Sequence, residues 1–173
     1  MFIADFYDVI RDFLERGGDV LWLIFITLMV LWSLIIERFL YYKKEFPAER
    51  QVLVDAWMAR NDKSSWYAHK IREAKVSVLS QKLNENISNI KLLVALCPLM
   101  GLLGTVTGMI AVFDVMAETG TGNARLMASG ISMATIPTMS GMVAALSGLY
   151  FGNLLETKAK KEKQKLADAL PLS

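Results

Sequence analysis

Three long stretches without a charged side chain constrain this sequence more than any other feature. They cover residues 20–36, 92–113 and 126–155. A helix needs roughly 20 mostly apolar residues to cross a bilayer, because it rises about 1.5 Å per residue through a hydrocarbon core of about 30 Å. The first stretch is short, but the apolar side chains of residues 39–42 extend it. The sequence therefore predicts an all-α membrane protein with three transmembrane helices.

The positions of lysine and arginine predict how these helices cross the membrane. Two precede the first span, eleven lie between the first and second, one follows the second and five follow the third. Positive charges collect on the cytoplasmic side of membrane proteins. We therefore expect a multi-pass protein with its N-terminus on the outer side of the membrane, which in the bacterial inner membrane is the periplasm, and its C-terminus in the cytoplasm. A signal peptide is disfavoured, because residues 1–19 are acidic rather than basic.

These expectations divide the chain into seven segments. They are a periplasmic amphipathic helix (1–19), the first transmembrane helix (20–42), a cytoplasmic helical segment (43–91), the second transmembrane helix (92–117), a periplasmic loop (118–126), the third transmembrane helix (127–155) and a basic cytoplasmic tail (156–173). The amphipathic helix follows from apolar side chains at helical spacing, which end at Gly17-Gly18. A disordered leader is the alternative.

Long helices are expected to extend from the spans into the cytoplasm. Glycine and proline are absent from Ser65 until Pro98. Within that segment, apolar residues recur at steps of three and four, at Leu79, Leu83, Ile87, Ile90 and Val94. We therefore predict one long helix that leaves the cytoplasm and becomes the second span.

Small residues line one face of each of the last two spans. They are Gly101, Gly104 and Gly108 in the second span, and Gly130, Ala134, Gly141, Ala145 and Gly148 in the third. Lipid tails are as apolar as leucine, so a small-residue face gains only by letting another helix come close. That helix is either a neighbour within the subunit, or another subunit or a guest helix.

Two threonines in these spans are expected at one depth. Thr105 and Thr138 lie about 12–17 Å below the outer edge. A hydroxyl both donates and accepts a hydrogen bond, so the pair could bridge a water or an acid. The alternative is a bond from each to its own helix. Neither run contains Asp, Glu, Lys, Arg or His, although proton carriers need an ionisable group at depth. If protons cross here, a partner has to supply the carboxylate.

Other functional classes find little support in the residues. The single histidine, His69, has no second metal ligand nearby, and the single cysteine, Cys97, lies in an apolar run. No metal site, cofactor or enzymatic activity is predicted, because no nucleophile–base pair or metal cluster is evident. The net charge is +2 and the basic residues are scattered, so nucleic-acid binding is not expected.

Two segments carry motifs that resemble a known family. They are CPLMGLLGTVTGMIAVF at residues 97–113 and GISMATIPTMSGMVAA at residues 130–145. The proline, the Gly-Thr-Val and the spaced glycines of the first segment are similar to those of the ExbB/TolQ/MotA proton-channel family. The threonine and Gly-x-Val-Ala-Ala of the second are similar too, as is Glu37-Arg38 after the first span. The short cytoplasmic segment most resembles the compact ExbB members of second-type TonB systems.

The resemblance implies a homopentamer in the membrane lipid, with the second and third spans around a central pore. The pore would enclose an ExbD-like single-span partner that carries the proton-accepting aspartate, and Thr105 and Thr138 match the family's pore threonines. Inward proton flow would then energise a TonB-like protein for outer-membrane import. A TolQ-type envelope motor and a structural membrane scaffold without proton flux are the alternatives.

The sequence departs from the family at two positions of the third span. Met133 stands where many members have a glutamate, and Pro137 replaces a residue that is often alanine. A mechanism that needs the glutamate as a proton relay is therefore in doubt for this chain. Pro137 has no N–H to donate, which frees a backbone carbonyl near Met133 to bind water, or bends the helix.

Overall fold

A computed structural model describes residues 2–120 and 124–171 of the chain, with the side chains of 2–10, 12, 14–16, 119, 124 and 126 excepted. Its helices are α1 (Phe2–Leu40), a π-helical turn (Tyr41–Glu45), α2 (Phe46–Met58), α3 (Trp66–Asn84), α4 (Ile87–Thr119) and α5 (Ala124–Asp168). The described residues contain no strand.

Three helical stretches are long and apolar enough to cross a membrane. They are Gly17–Met58, Trp66–Glu118 and Met127–Asp168. The predicted all-α fold with three membrane-spanning helices is therefore confirmed, and the chain is a multi-pass membrane protein. The direction in which these helices cross the membrane stays a prediction.

The start of α1 lies partly outside the described side chains. Its backbone is helical from Phe2, but Gly18 has φ 65° and ψ −169°, so the helix is broken there. Only glycine adopts a positive φ of this kind at little cost. The predicted amphipathic face falls on undescribed side chains except for Phe13, and part of the predicted loop at 118–126 lies at the undescribed residues 121–123.

The chain forms two compact units, of which the first comprises Met1–Trp32 and Leu92–Leu149. Its helices α1, α4 and α5 bury a small cluster of Val20, Ile24, Cys97 and Ala144, against which Leu28, Met100 and Ala145 pack. Most large apolar side chains of this unit instead point outward, among them Trp22, Met29, Leu102, Ile110, Met139 and Leu146. An apolar exterior around a narrow packed seam suits a lipid surrounding.

The second unit comprises Ser33–Lys91 and Tyr150–Ser173. Helices α2 and α3 form its core together with the ends of α1 and α5 and the start of α4. The buried side chains of this unit include Phe46, Trp57, Leu79, Leu83, Leu155, Leu166 and Leu170. The end of α5 and the residues just after it are held by side chains. Arg72 donates to the carbonyls of Ala167 and Leu170, both at 2.7 Å, and the Trp57 indole donates to that of Pro171 at 3.2 Å.

The predicted continuous helix from Ser65 into the second span is wrong. Helix α3 ends at Asn84 and α4 begins at Ile87. Between them Asn86 has φ 60°, a left-handed conformation that asparagine tolerates better than most residues. The predicted apolar stripe itself is buried at all five positions, so the periodicity was informative although the helix is interrupted.

Side chains from the end of α1 and from the π-helical turn that follows it account for the interruption. In an unbroken α-helix the carbonyls of Lys82 and Leu83 would accept from the N–H groups four residues later. Here the Arg38 guanidinium donates to the Lys82 carbonyl at 2.9 Å, and the buried Tyr42 hydroxyl donates to the Leu83 carbonyl at 2.6 Å. These bonds satisfy the two carbonyls at the end of α3.

Candidate functional site

The glycines of α4 lie directly against the backbone of α5. A Cβ atom added at Gly108 would lie 2.7 Å from the Ala134 Cα, and one at Gly101 would lie 2.9 Å from the Thr138 Cα. Ordinary contacts of a Cβ begin at about 3.4 Å. The two helices therefore approach each other here more closely than any residue with a Cβ atom would allow.

The glycines of α5 have matching neighbours. A Cβ at Gly141 would lie 2.5 Å from the Cys97 carbonyl oxygen. One at Gly148 would meet Val94 at 2.6 Å and Leu31 at 2.7 Å, and one at Gly130 would overlap Val112. Residue numbers rise along one helix as they fall along the other, so α4 and α5 are an antiparallel pair.

These contacts show what the small faces do within one chain. The predicted residues Gly101, Gly104, Gly108, Gly130, Ala134, Gly141 and Gly148 all meet a neighbouring helix of the same subunit, and Ala145 packs on the buried cluster. The interpretation as packing within one subunit therefore accounts for them. Contacts with other subunits or with a guest helix would use other surfaces of the pair.

Thr138 connects the two helices by a hydrogen bond. Its hydroxyl donates to the Gly101 carbonyl of α4 at 2.9 Å. Other hydroxyls of this unit donate to their own helix instead, such as Thr107 to the Gly104 carbonyl at 3.1 Å and Ser140 to that of Ile136 at 2.8 Å. The bond across the interface depends on the close approach at Gly101.

Thr105 follows the local alternative. Its hydroxyl donates to the Leu102 carbonyl of its own helix at 2.6 Å. In α4 the backbone N–H of Thr105 faces the Gly101 carbonyl, which also accepts from the Thr138 hydroxyl. The two threonines therefore meet at a shared carbonyl, although their hydroxyls do not bond to each other. Both side chains are half-buried, at one edge of the pair.

The hydrogen-bond capacity left at this edge is one-sided. A hydroxyl has one proton to donate and two lone pairs with which to accept. A backbone carbonyl can only accept, so Thr105 and Thr138 have each committed their proton to one. Both oxygens can therefore still accept a hydrogen bond but have no proton left to donate. A water or a neutral carboxylic acid can donate to them, whereas an ionised carboxylate has no proton to donate.

Met133 and Pro137, which differ from the pattern of the resembled family, lie in different surroundings. Pro137 is fully buried, and its ring fills the space beside Gly104, where a Cβ would overlap it. Helix α5 continues through Pro137 from Ala124 to Asp168. Met133, one turn earlier, is exposed on the surface of the helix pair. Pro137 is thus part of the helix interface, while Met133 lies outside it.

Sequence reasoning missed a polar junction in the second unit. Arg38 is 3% exposed and donates to the Lys82 carbonyl, to Glu37 at 3.1 Å and to Glu85 at 3.3 Å. Asn86 donates to Glu37 at 3.2 Å. An arginine at the end of an apolar run was the available signal, but its partners Lys82 and Glu85 lie more than 40 residues away in sequence.

Comparison with known proteins places these features in a family. Residues 40–168 match the model of the MotA/TolQ/ExbB proton channel family. The putative biopolymer transport protein ExbB-like 1 of Synechocystis is 44% identical over 66 residues, covering 36% of this chain and 26% of the relative. The biopolymer transport protein ExbB of Salmonella typhimurium is 29% identical over 96 residues, covering 56% and 39%.

A relative from Helicobacter pylori aligns over a larger share. Its putative biopolymer transport protein ExbB-like 1 is 25% identical over 169 residues, covering 87% of this chain and 89% of the relative. The chain spans less than half the length of the Synechocystis and Salmonella relatives. The family match includes α2, α3, α4 and all of α5, and therefore the whole antiparallel pair. The chain thus belongs to the MotA/TolQ/ExbB proton channel family.

Proposed function

We propose that this protein is a proton-channel or stator subunit of the bacterial inner membrane that drives biopolymer transport. It uses the proton-motive force, with an ExbD-like partner, to energise TonB-dependent outer-membrane import. Family membership and the names of the ExbB relatives support this role. The observation that carries it is the pair of threonines at one carbonyl of a span that has no charged side chain. The protein has no enzymatic activity of its own.

The edge of the helix pair at Thr105 and Thr138, which can accept hydrogen bonds but not donate them (the acceptor-only edge), gives the threonines a specific part in proton transfer. A partner carboxylic acid can donate its proton to the Thr105 or Thr138 oxygen while it is neutral. Once ionised, it finds no donor there, and its desolvation in the membrane is costly. The edge therefore stabilises the protonated partner and raises the pKa of the partner's acid. The ionised partner must move to a more polar position, which couples protonation to motion.

The partner supplies the charge that this chain lacks. An ExbD-like helix with a membrane aspartate fits the acceptor-only edge, and a homopentamer would present one such edge from each subunit around it. Each proton that crosses 100 mV releases about 2.3 kcal/mol. Several protons are thus required for substantial mechanical work on a TonB-like protein. The N-terminus lies in the periplasm and the C-terminus in the cytoplasm, as the lysine and arginine distribution indicates.

Substitution of the two threonines separates this function from that of a scaffold. Thr105→Val and Thr138→Val keep the side-chain shape and remove the acceptor oxygen. Each should lower import driven by the proton-motive force about fivefold, since one hydrogen bond contributes about 1 kcal/mol. The measurement is uptake in cells that co-express the single-span partner, with co-purification of the partner as the check on assembly.

Thr107→Val is the matched control, because it removes a hydroxyl from the same helix, and that hydroxyl donates to the carbonyls of Leu103 and Gly104, away from the Gly101 carbonyl at which Thr105 and Thr138 meet. Thr138→Ser should retain import, since it keeps the hydroxyl. If both threonine-to-valine variants assemble and support import as well as Thr107→Val does, the protein is a scaffold and the proposed proton pathway is wrong.

A further inference from the structure

A groove in the second unit combines an apolar floor with a basic end. It has a volume of about 530 Å³. It is lined by Phe39, Tyr150, Asn153, Leu154, Thr157, Lys158 and Lys161. We propose that this groove binds one anionic phospholipid, with an acyl chain on the apolar floor and the phosphate between the two lysines.

The order of side chains along α5 supports a lipid rather than a soluble anion. Tyr150, Leu154, Lys158 and Lys161 follow at steps of four, four and three, so they share one face of the helix. The apolar members precede the end of the predicted span at residue 155, and the lysines follow it. A phospholipid changes from apolar to anionic in the same direction at the cytoplasmic membrane edge.

The apolar floor is open to a ligand. Phe39, Tyr150 and Leu154 are all exposed large apolar side chains. Apolar lipid-facing surface is expected inside the bilayer, but here it is concave and bounded by two helices. A concave apolar surface can surround an acyl chain, whereas a flat one only contacts it.

The basic end is arranged in advance. The Lys158 ammonium lies 4.8 Å from the centre of the Phe39 ring and 5.7 Å from that of Tyr42, which holds it beside the groove. Among the described residues, neither Lys158 nor Lys161 has an ion pair with a carboxylate. Lys91, Lys160 and Lys165 are in contrast paired with glutamates. The Cα atoms of these two unpaired lysines lie about 4.5 Å apart along the helix axis, so both flexible side chains can reach one phosphate.

Lipid binding to the purified full-length protein tests the groove. Native mass spectrometry would count the lipids retained when phosphatidylglycerol or phosphatidylcholine is added to the detergent micelles. We expect one phosphatidylglycerol per chain in preference to phosphatidylcholine. Equal retention of both lipids would overturn the proposal without any variant being needed.

Charge-matched variants then locate the site. Lys158→Gln with Lys161→Gln should weaken phosphatidylglycerol binding about 30-fold, since each lysine near a membrane surface contributes about a factor of five. Lys163→Gln with Lys165→Gln removes the same charge from the same helix and should change binding less than twofold. Equal losses in the two variants would mean general surface attraction and overturn the groove.

Two further measurements identify the occupant. Thr157→Trp fills the groove and leaves both lysines in place, so it should also abolish the bound lipid. Competition by millimolar inorganic phosphate would show a site for a soluble anion and overturn the lipid assignment. The groove could instead hold a second copy of this chain. In that case the wild type would retain no lipid, and the Lys158→Gln, Lys161→Gln variant would form a smaller oligomer. That pair of results would also overturn the lipid assignment.

Discussion

Replacement of Gly101 by alanine tests the α4–α5 interface at its central contact. The new Cβ would lie 2.9 Å from both the Pro137 carbonyl oxygen and the Thr138 Cα. These are backbone atoms, so no side-chain rotation relieves the contact. The helices must separate by about 0.5 Å to reach an ordinary contact near 3.4 Å. That movement lengthens the 2.9 Å bond from Thr138 to Gly101 beyond the usual range for a hydroxyl donor.

The magnitude follows from three contributions. Overpacking a close contact costs about 1–3 kcal/mol, and loss of the Thr138 hydrogen bond adds about 1 kcal/mol. Alanine in place of a helical glycine stabilises the helix by about 1 kcal/mol. The free energy of unfolding of Gly101→Ala should therefore fall by about 2 kcal/mol.

Gly152→Ala provides the matched control. It is also a glycine inside a helix, but its Cβ would meet only the Ile90 Cγ2, at 3.5 Å. This variant should be stabilised by about 0.5–1 kcal/mol.

The assay is thermal unfolding in detergent, followed by circular dichroism at one protein concentration, because the stability of an oligomer depends on concentration. Each kcal/mol corresponds to about 2–4 °C in Tm for a chain of this size, so the two variants should differ by about 5–10 °C. If Gly101→Ala unfolds at or above the temperature of Gly152→Ala, the described register of α4 and α5 is wrong.

Two further predictions concern the junction in the second unit. Arg38→Ala should lower the free energy of unfolding by about 2–3 kcal/mol, because the Lys82 carbonyl loses a charged donor. Lys43→Ala on the exposed surface is the control and should change it by less than about 0.5 kcal/mol. Equal denaturant midpoints for the two variants would refute the buried junction. Asn86→Ala should lower the free energy of unfolding by about 1–2 kcal/mol, because alanine is disfavoured at φ 60°. Asn86→Gly should leave it nearly unchanged. Equal denaturant midpoints for these two variants would contradict the break between α3 and α4.

The spans and small faces could be predicted because they depend on properties local to each helix. An uncharged run of sufficient length and a repeat of small residues are visible in one dimension. The partner of each face was not visible, because it depends on the register between helices. Thr138 illustrates the difference, since its depth was predicted but its bond to Gly101 required the position of a glycine 37 residues away.

The break between α3 and α4 could not be predicted for a similar reason. The sequence around Asn86 has no glycine or proline, and its apolar stripe continues at helical spacing. What ends α3 is the competition of Arg38 and Tyr42 for its last carbonyls. Those donors come from another helix, 41 and 44 residues away, and single-sequence patterns do not report such distant contacts.

The anchoring of the end of α5 has a consequence for the order of events during synthesis. Trp57 and its acceptor Pro171 are 114 residues apart, and Arg72 and Leu170 are 98 apart. Translation at about 5–20 residues per second separates Trp57 from its acceptor by about 6–23 s. Throughout that interval α2 and α3 lack the helix that completes their core. The second unit can therefore complete its core only after both later spans have been made.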